Sequence, residues 1–99
     1  MHYLLCYDLA PDYLARRGQF RDAHLALAWQ AQQRGELVLA GALSDPADMA
    51  VLMFQAESPE LVNAFANADP YVTAGLVTGF RVRQWNTVVG EAAFAPVKI

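Results

Sequence analysis

Between Arg17 and Leu43 the chain runs through a polar helix start, a helix with one histidine on its inner stripe, a glycine stop and an almost charge-free strand. That succession requires a fold that holds both a helix and a sheet. Phe20, Ala23, His24, Leu27, Ala28 and Ala31 recur at the three-and-four spacing of an amphipathic helix, which predicts a helix over 19–34 with His24 facing inward. Arg21, Asp22, Gln32, Gln33 and Arg34 lie mostly off that stripe, and Gly35 supplies the left-handed residue that commonly ends a helix. The run from Glu36 to Leu43 is long enough for one strand and too short for a typical helix.

The remaining segments extend the pattern. His2–Leu9 places Tyr3, Leu5, Tyr7 and Leu9 on one side and His2, Leu4, Cys6 and Asp8 on the other, both mainly apolar, as in a strand covered on two faces. Pro11 and Asp12 break it, and residues 13–18 read as an irregular or single-turn lead-in. The turn residues Ser44 to Asp48 join the second strand to a third, Met49–Ala56, in an antiparallel hairpin. Ser58 then reads as an N-cap, Pro59 as the first helical residue, and Leu61, Val62, Phe65 and Ala66 as the apolar stripe of a helix ending near Ala68. Asp69-Pro70-Tyr71 begins a short turn or helix that stops at Gly75, and residues 76–87 hold the last strand. The order β-α-β-β-α-β predicts an α+β, ferredoxin-like fold, with two helices on one face of a four-stranded antiparallel sheet. Two helices cover one face only. The uncovered face is expected to pack on a second copy, giving a homodimer. Residues 87–99 have no clear period and are expected to form an extended C-terminal arm on a single domain of 99 residues.

Composition narrows the functions. With 56% apolar residues the chain can build a core without disulfides or metal. Seven basic against ten acidic side chains, clustered no further than Arg16-Arg17, leave no electrostatic footprint for nucleic acid. No apolar run approaches the roughly 18 residues of a membrane span. Cys6, expected in a buried strand, has no second cysteine to pair with, which suits a cytoplasmic location. There is no phosphate-binding glycine loop, H-E-x-x-H, C-x-x-C or G-x-S-x-G, so chemistry without metal or cofactor is expected.

His24 and Asp69 are the candidate reactive pair. A histidine beside a carboxylate has its tautomer fixed and its cation stabilised, and can act as general base and then general acid. Each also has a plain structural role available, as a hydrogen-bonded core histidine and as a helix N-cap, and spacing alone does not show that they meet. Arg16, Arg17 and Arg21 stand close before His24 and either bind a carboxylate or phenolate, with Arg16 and Arg21 the expected anchors, or lie solvated on the surface, the reading that fits at least two of the three. Tyr71 can donate a hydrogen bond to a ligand or simply close the sheet edge, and Asp8 and Ser44 sit at strand ends where sites form but where a turn carboxylate and a turn hydroxyl are the plainer roles. Trp29 and Leu25, an i, i+4 pair off the main stripe, are expected to pack under the C-terminal arm, with a stacking platform as the alternative, and His2 to be exposed.

Arg21-Asp22-Ala23-His24-Leu25, Arg34-Gly35-Glu36-Leu37-Val38-Leu39-Ala40-Gly41, Ser58-Pro59-Glu60, Asp69-Pro70-Tyr71, Ala74-Gly75-Leu76 and Val82-Arg83-Gln84-Trp85 together resemble the YciI-like (YCII-related) family, in order and to about Asn86. R-x-x-H-L and D-P-Y are the most specific pieces. The resemblance implies a dimeric α+β barrel, related in fold to muconolactone isomerase, with a His and Asp pair in a cleft as the proposed active site; here these are His24 and Asp69. Most of the family has no assigned reaction, and its best-known enzyme removes chloride from a chlorinated hydroxyhydroquinone. Gly41-Ala42-Leu43 departs from the family's usual Gly-Pro, a change expected to alter the loop that lines the cleft. The expectation is a small cytoplasmic enzyme in which a His–Asp pair transfers a proton on a small cyclic or aromatic organic acid or phenol, by isomerisation, elimination or dehalogenation. The alternative is a non-catalytic homodimer that binds a small ligand or serves a structural role.

Overall fold

The structure, a computed structural model, describes residues 1–99. Its elements are β1 (His2–Leu9), α1 (Tyr13–Arg16), a 3₁₀ turn (Arg17–Gln19), α2 (Arg21–Gln33), β2 (Leu37–Ala42), β3 (Met49–Gln55), α3 (Pro59–Ala68), α4 (Pro70–Thr73) and β4 (Val77–Trp85). All strand pairs are antiparallel, in the order β2-β3-β1-β4, so the expected α+β arrangement is present. The β2–β3 hairpin pairs Ala42 with Ala50 at its closed end and slips register between Leu37 and Leu39.

Alternation decides the faces. Tyr3, Leu5 and Tyr7 of β1 and Ala50, Leu52 and Phe54 of β3 are all buried on the helix side, where Phe54 meets Phe65 of α3 edge to face. Val62, Phe65 and Ala66 carry α3 onto the sheet as the sequence pattern requires. Pro59 is the first helical residue, whereas Ser58 occupies the cap position without its side chain accepting a hydrogen bond.

The α2 helix meets the sheet more loosely than its stripe implies. Only Ala28 and Ala31 are buried, Ala23 is exposed, and Phe20 and Leu27 are partly covered. Alanines on the inner face leave space between α2 and the β2–β3 edge of the sheet. The helix ends in paired closing bonds, Glu36 N–H to Ala31 carbonyl (3.0 Å) and Gly35 N–H to Gln32 carbonyl (2.9 Å), with Gly35 at φ +78°.

On the opposite face Leu4, Cys6, Val51 and Met53 are half-buried, so Cys6 is less enclosed than expected. The tail does not extend away as an arm. It doubles back, with Ala95 N–H on the Thr87 carbonyl (3.2 Å) and Val97 N–H on the Val88 carbonyl (2.8 Å). Thr87 Oγ1 meets His2 Nδ1 at 2.7 Å and accepts the Phe94 N–H at 2.8 Å, so His2 is buried rather than exposed. The tail reaches this position because β4 pairs Trp85 with His2 and delivers the following residues to the same end of β1.

A Cβ placed on Gly35 meets nothing within 4 Å, so Gly35→Ala isolates the cost of a left-handed residue. We expect a loss of about 1 kcal/mol, read as a fall in Tm of about 4–8 °C with no change in the circular dichroism of the folded protein.

Candidate functional site

Asp69 is the last residue before α4, and Pro70 biases it to extended backbone, observed at φ −72° and ψ 122°. From there its carboxylate accepts the Tyr71 N–H on Oδ1 at 3.0 Å, capping the short helix. The cap and the proposed functional contact coexist. Asp69 Oδ2 accepts the Tyr7 hydroxyl at 2.7 Å, and His24 Nδ1 lies 2.9 Å from both carboxylate oxygens. Asp69 is completely buried, and a buried carboxylate requires this degree of hydrogen bonding. Three elements thereby converge on one acidic group: β1 through Tyr7, α2 through His24 and α4 through its own cap.

For His24 to donate to Asp69, Nδ1 must carry the proton, which leaves Nε2 as the nitrogen that exchanges one. The ring is held in plane by Tyr71, stacked at 3.9 Å between centroids and 8° between planes, and Tyr71 in turn meets Tyr13 edge to face at 5.7 Å. The His24 side chain keeps 13% of its surface exposed, and that surface lines a cavity of about 330 Å³ between α2 and the edge of the sheet. The volume suits a small organic molecule. It exists because Ala28, Ala40, Gly41, Ala42 and Ala50 surround space that larger side chains would fill.

Burial, then the Asp69 charge and hydrogen bond, push the Tyr7 hydroxyl far above its ordinary pKa, so it remains a donor throughout the neutral range. Burial and the neighbouring Tyr13 also raise Tyr71; Arg21 and Arg17 oppose that rise without reversing it. Arg21 stands close enough to the Tyr71 hydroxyl to lower its pKa as a nearby N–H donor and as a charge, but not in hydrogen-bonding geometry, and the buried hydroxyl has no partner within the fold.

The structure brings His24, Tyr71 and Arg21 to the cavity wall, with Asp69 buried behind His24, and leaves the other candidates outside the cavity. Arg16 donates to the Ala74 carbonyl at 2.9 Å and sits 3.7 Å from Asp12; Arg17 lines the cavity in its place. Asp8 alternates with Tyr7 along β1, so it lies on the opposite face, where it pairs with Arg81 at 2.7 Å. Ser44 is exposed in the turn beyond β2. Trp29 and Leu25 border the cavity instead of packing under the tail, because the tail follows β4 onto His2 on the far face. Tyr7 and Tyr13 were not among the candidates. The signal for Tyr7 was its place in the Tyr3-Leu5-Tyr7-Leu9 series; Tyr13 sits in the short lead-in, where no period assigns a face. No three His, Cys, Asp or Glu side chains converge as a metal site, and no helix is long and apolar enough to cross a membrane.

The sequence model of the YCII-related domain matches residues 1–86. The chain is 31% identical to Protein YciI of Escherichia coli O6:H1 and to Protein YciI of Shigella flexneri, in each case over 89% of this chain and 99% of the relative. Its fold is similar to that of 5-chloro-2-hydroxyhydroquinone dehydrochlorinase from Burkholderia phenoliruptrix AC1100, solved with 2,5-dihydroxybenzoquinone. The TM-score is 0.74 at 24% identity, with 88% of this chain and 95% of that chain covered.

Tyr7→Phe removes one of the Asp69 donors and is expected to cost about 1–3 kcal/mol at neutral pH. The folded protein binds the Tyr7 proton more tightly than the unfolded chain, so this contribution is complete below the unfolded pKa of about 10 and is lost as pH rises beyond it. Urea unfolding from pH 8 to 11 is expected to show a shallower alkaline loss in Tyr7→Phe than in the parent.

Proposed function

The chain belongs to the YCII-related domain family, and on that premise we propose that it is a small-molecule enzyme in which His24 transfers a proton on a cyclic or aromatic organic acid or phenol bound in the cavity. One observation carries the reading. The single histidine bordering the cavity has Nδ1 committed to a fully buried carboxylate, which leaves Nε2 as the exchanging nitrogen.

In the proposed reaction Nε2 accepts a proton from a C–H or O–H of the substrate, and Asp69 stabilises the resulting imidazolium and keeps its plane fixed. In an isomerisation the same proton returns to another atom of the substrate. In an elimination the C–H electron pair forms the new double bond, a leaving group such as chloride departs with its bonding electrons, and His24 later releases the proton to solvent. The structural neighbour named for dehydrochlorination, at 24% identity, supports a ligand of this size and shape and does not choose between these outcomes.

We also propose that two copies pack through the sheet face opposite the helices, because Leu4, Cys6, Val51 and Met53 form an incompletely covered apolar surface there. Cys6, with no second cysteine, is compatible with a reducing cytoplasm as the place where the enzyme works. The alternative is a ligand-binding protein in which the pair is structural. It is favoured by Asp69's second engagement as the cap of α4.

Two assays test the reaction: chloride release from 5-chloro-2-hydroxyhydroquinone, and deuterium uptake from D₂O into the ring of 2,5-dihydroxybenzoquinone. Activity in either assay should fall at least about 100-fold in His24→Ala and in Asp69→Asn. Parent-like rates in both variants, or a lower Tm with no activity in any form, would leave the structural reading. Small-angle scattering at micromolar concentration is expected to give the mass of two chains; a monomer would remove the proposed interface.

A further inference from the structure

One part of the cavity wall is unusual in what it lacks. Tyr71 is 2% exposed, borders the cavity and carries the one buried side-chain polar atom in the chain without a hydrogen-bond partner. A buried hydroxyl left unpaired costs free energy that a bound acceptor recovers. Two guanidiniums share this part of the wall. Arg17 stands 5.8 Å from the Tyr13 ring centre, in cation–π contact, and Arg21 follows it four residues later. Neither has a carboxylate partner, whereas Arg16, Arg34 and Arg81 each do. The group therefore presents arginine N–H donors and one O–H donor, and contributes no acceptor apart from that hydroxyl oxygen. All three line the same cavity, and Tyr13, which carries Arg17 over its ring, meets the Tyr71 ring edge to face at 5.7 Å. The opposite lip is apolar, formed by Leu25, Trp29, Val38 and Leu39.

We infer that Arg17, Arg21 and the Tyr71 hydroxyl form an oxyanion anchor, which holds an ionised oxygen carried on a flat ring while the ring's body lies against Trp29 and β2. The ligand class is an aromatic carboxylate or phenolate, and the neutral isostere is discriminated against because it leaves two cations unpaired. Tyr71 links the anchor to the reactive pair. Its hydroxyl meets the anion while its ring face lies on His24, so the anchored oxygen sets the distance from Nε2 to the rest of the ring. The inference rests on the cavity being a small-molecule site, as proposed above, and stands independently of the proton transfer.

Trp29 fluorescence reads occupancy directly once the other tryptophan is removed by Trp85→Phe, a position outside the cavity. In that background benzoate is expected to bind at least about tenfold more tightly than benzamide, with only the benzoate affinity falling as salt is raised. Arg17→Ala combined with Arg21→Ala should bring the two ligands within about twofold, and Tyr71→Phe should weaken benzoate about tenfold while leaving benzamide little changed. Titration with 4-nitrophenol above and below its ionisation separates the two sources of charge: tighter binding of the phenolate than of benzoate identifies a phenol ligand, and the reverse identifies a carboxylate. Equal binding of benzoate and benzamide, or a charge preference that survives the double arginine variant, overturns the anchor. Benzoate has no proton for His24 to move, so absence of exchange or chloride release leaves this result standing, and a failed anchor leaves the proton-transfer test standing.

Discussion

The carboxylate of Asp69 is the point at which the fold and the site depend on each other. It is fully buried, and burial of an ion is tolerated only where donors surround it. Those donors come from a strand, a long helix and a four-residue helix: the Tyr7 hydroxyl, the His24 ring and the Tyr71 amide. Removing the acid would therefore loosen the docking of α2 on the sheet as well as the start of α4. The same contacts fix the histidine tautomer and, through the Tyr71 stack, the plane of its ring.

The elements were largely readable because their boundaries are set by local chemistry. Gly35 takes the left-handed position that ends α2, Pro59 takes the first helical position of α3, and Asp69 caps α4 ahead of Pro70. The site was readable only in part, because contacts across the fold depend on the rotation of each element. Arg16 and Arg17 are adjacent in sequence, yet the change from α-helix to 3₁₀ turn between them sends one to the Ala74 carbonyl and the other to the cavity. Spacing alone does not give that phase. Asp8 is different, since two-residue alternation with Tyr7 already placed it on the far face.

The contacts of His2 and Tyr7 lay beyond any local pattern. His2 is buried by Thr87, and Tyr7 meets Asp69, in each case across most of the chain. Both contacts follow from strand register and from where β4 delivers the chain. Trp29 was misplaced for a related reason: its position off the main stripe signals that it does not enter the core, and leaves open which neighbouring surface it borders.

The reactive histidine and the β2 wall of the cavity that faces it come from different parts of the chain. His24, Asp69 and Tyr71 stand on helices or at a helix start, while Ala40, Gly41 and Ala42 belong to β2, an edge strand bonded on one side only. A methyl or isopropyl group added along β2 would shrink the chamber from outside without entering the Asp69 network. On the β2 side, ligand size can therefore drift along one exposed strand while the proton chemistry is held fixed by buried bonds.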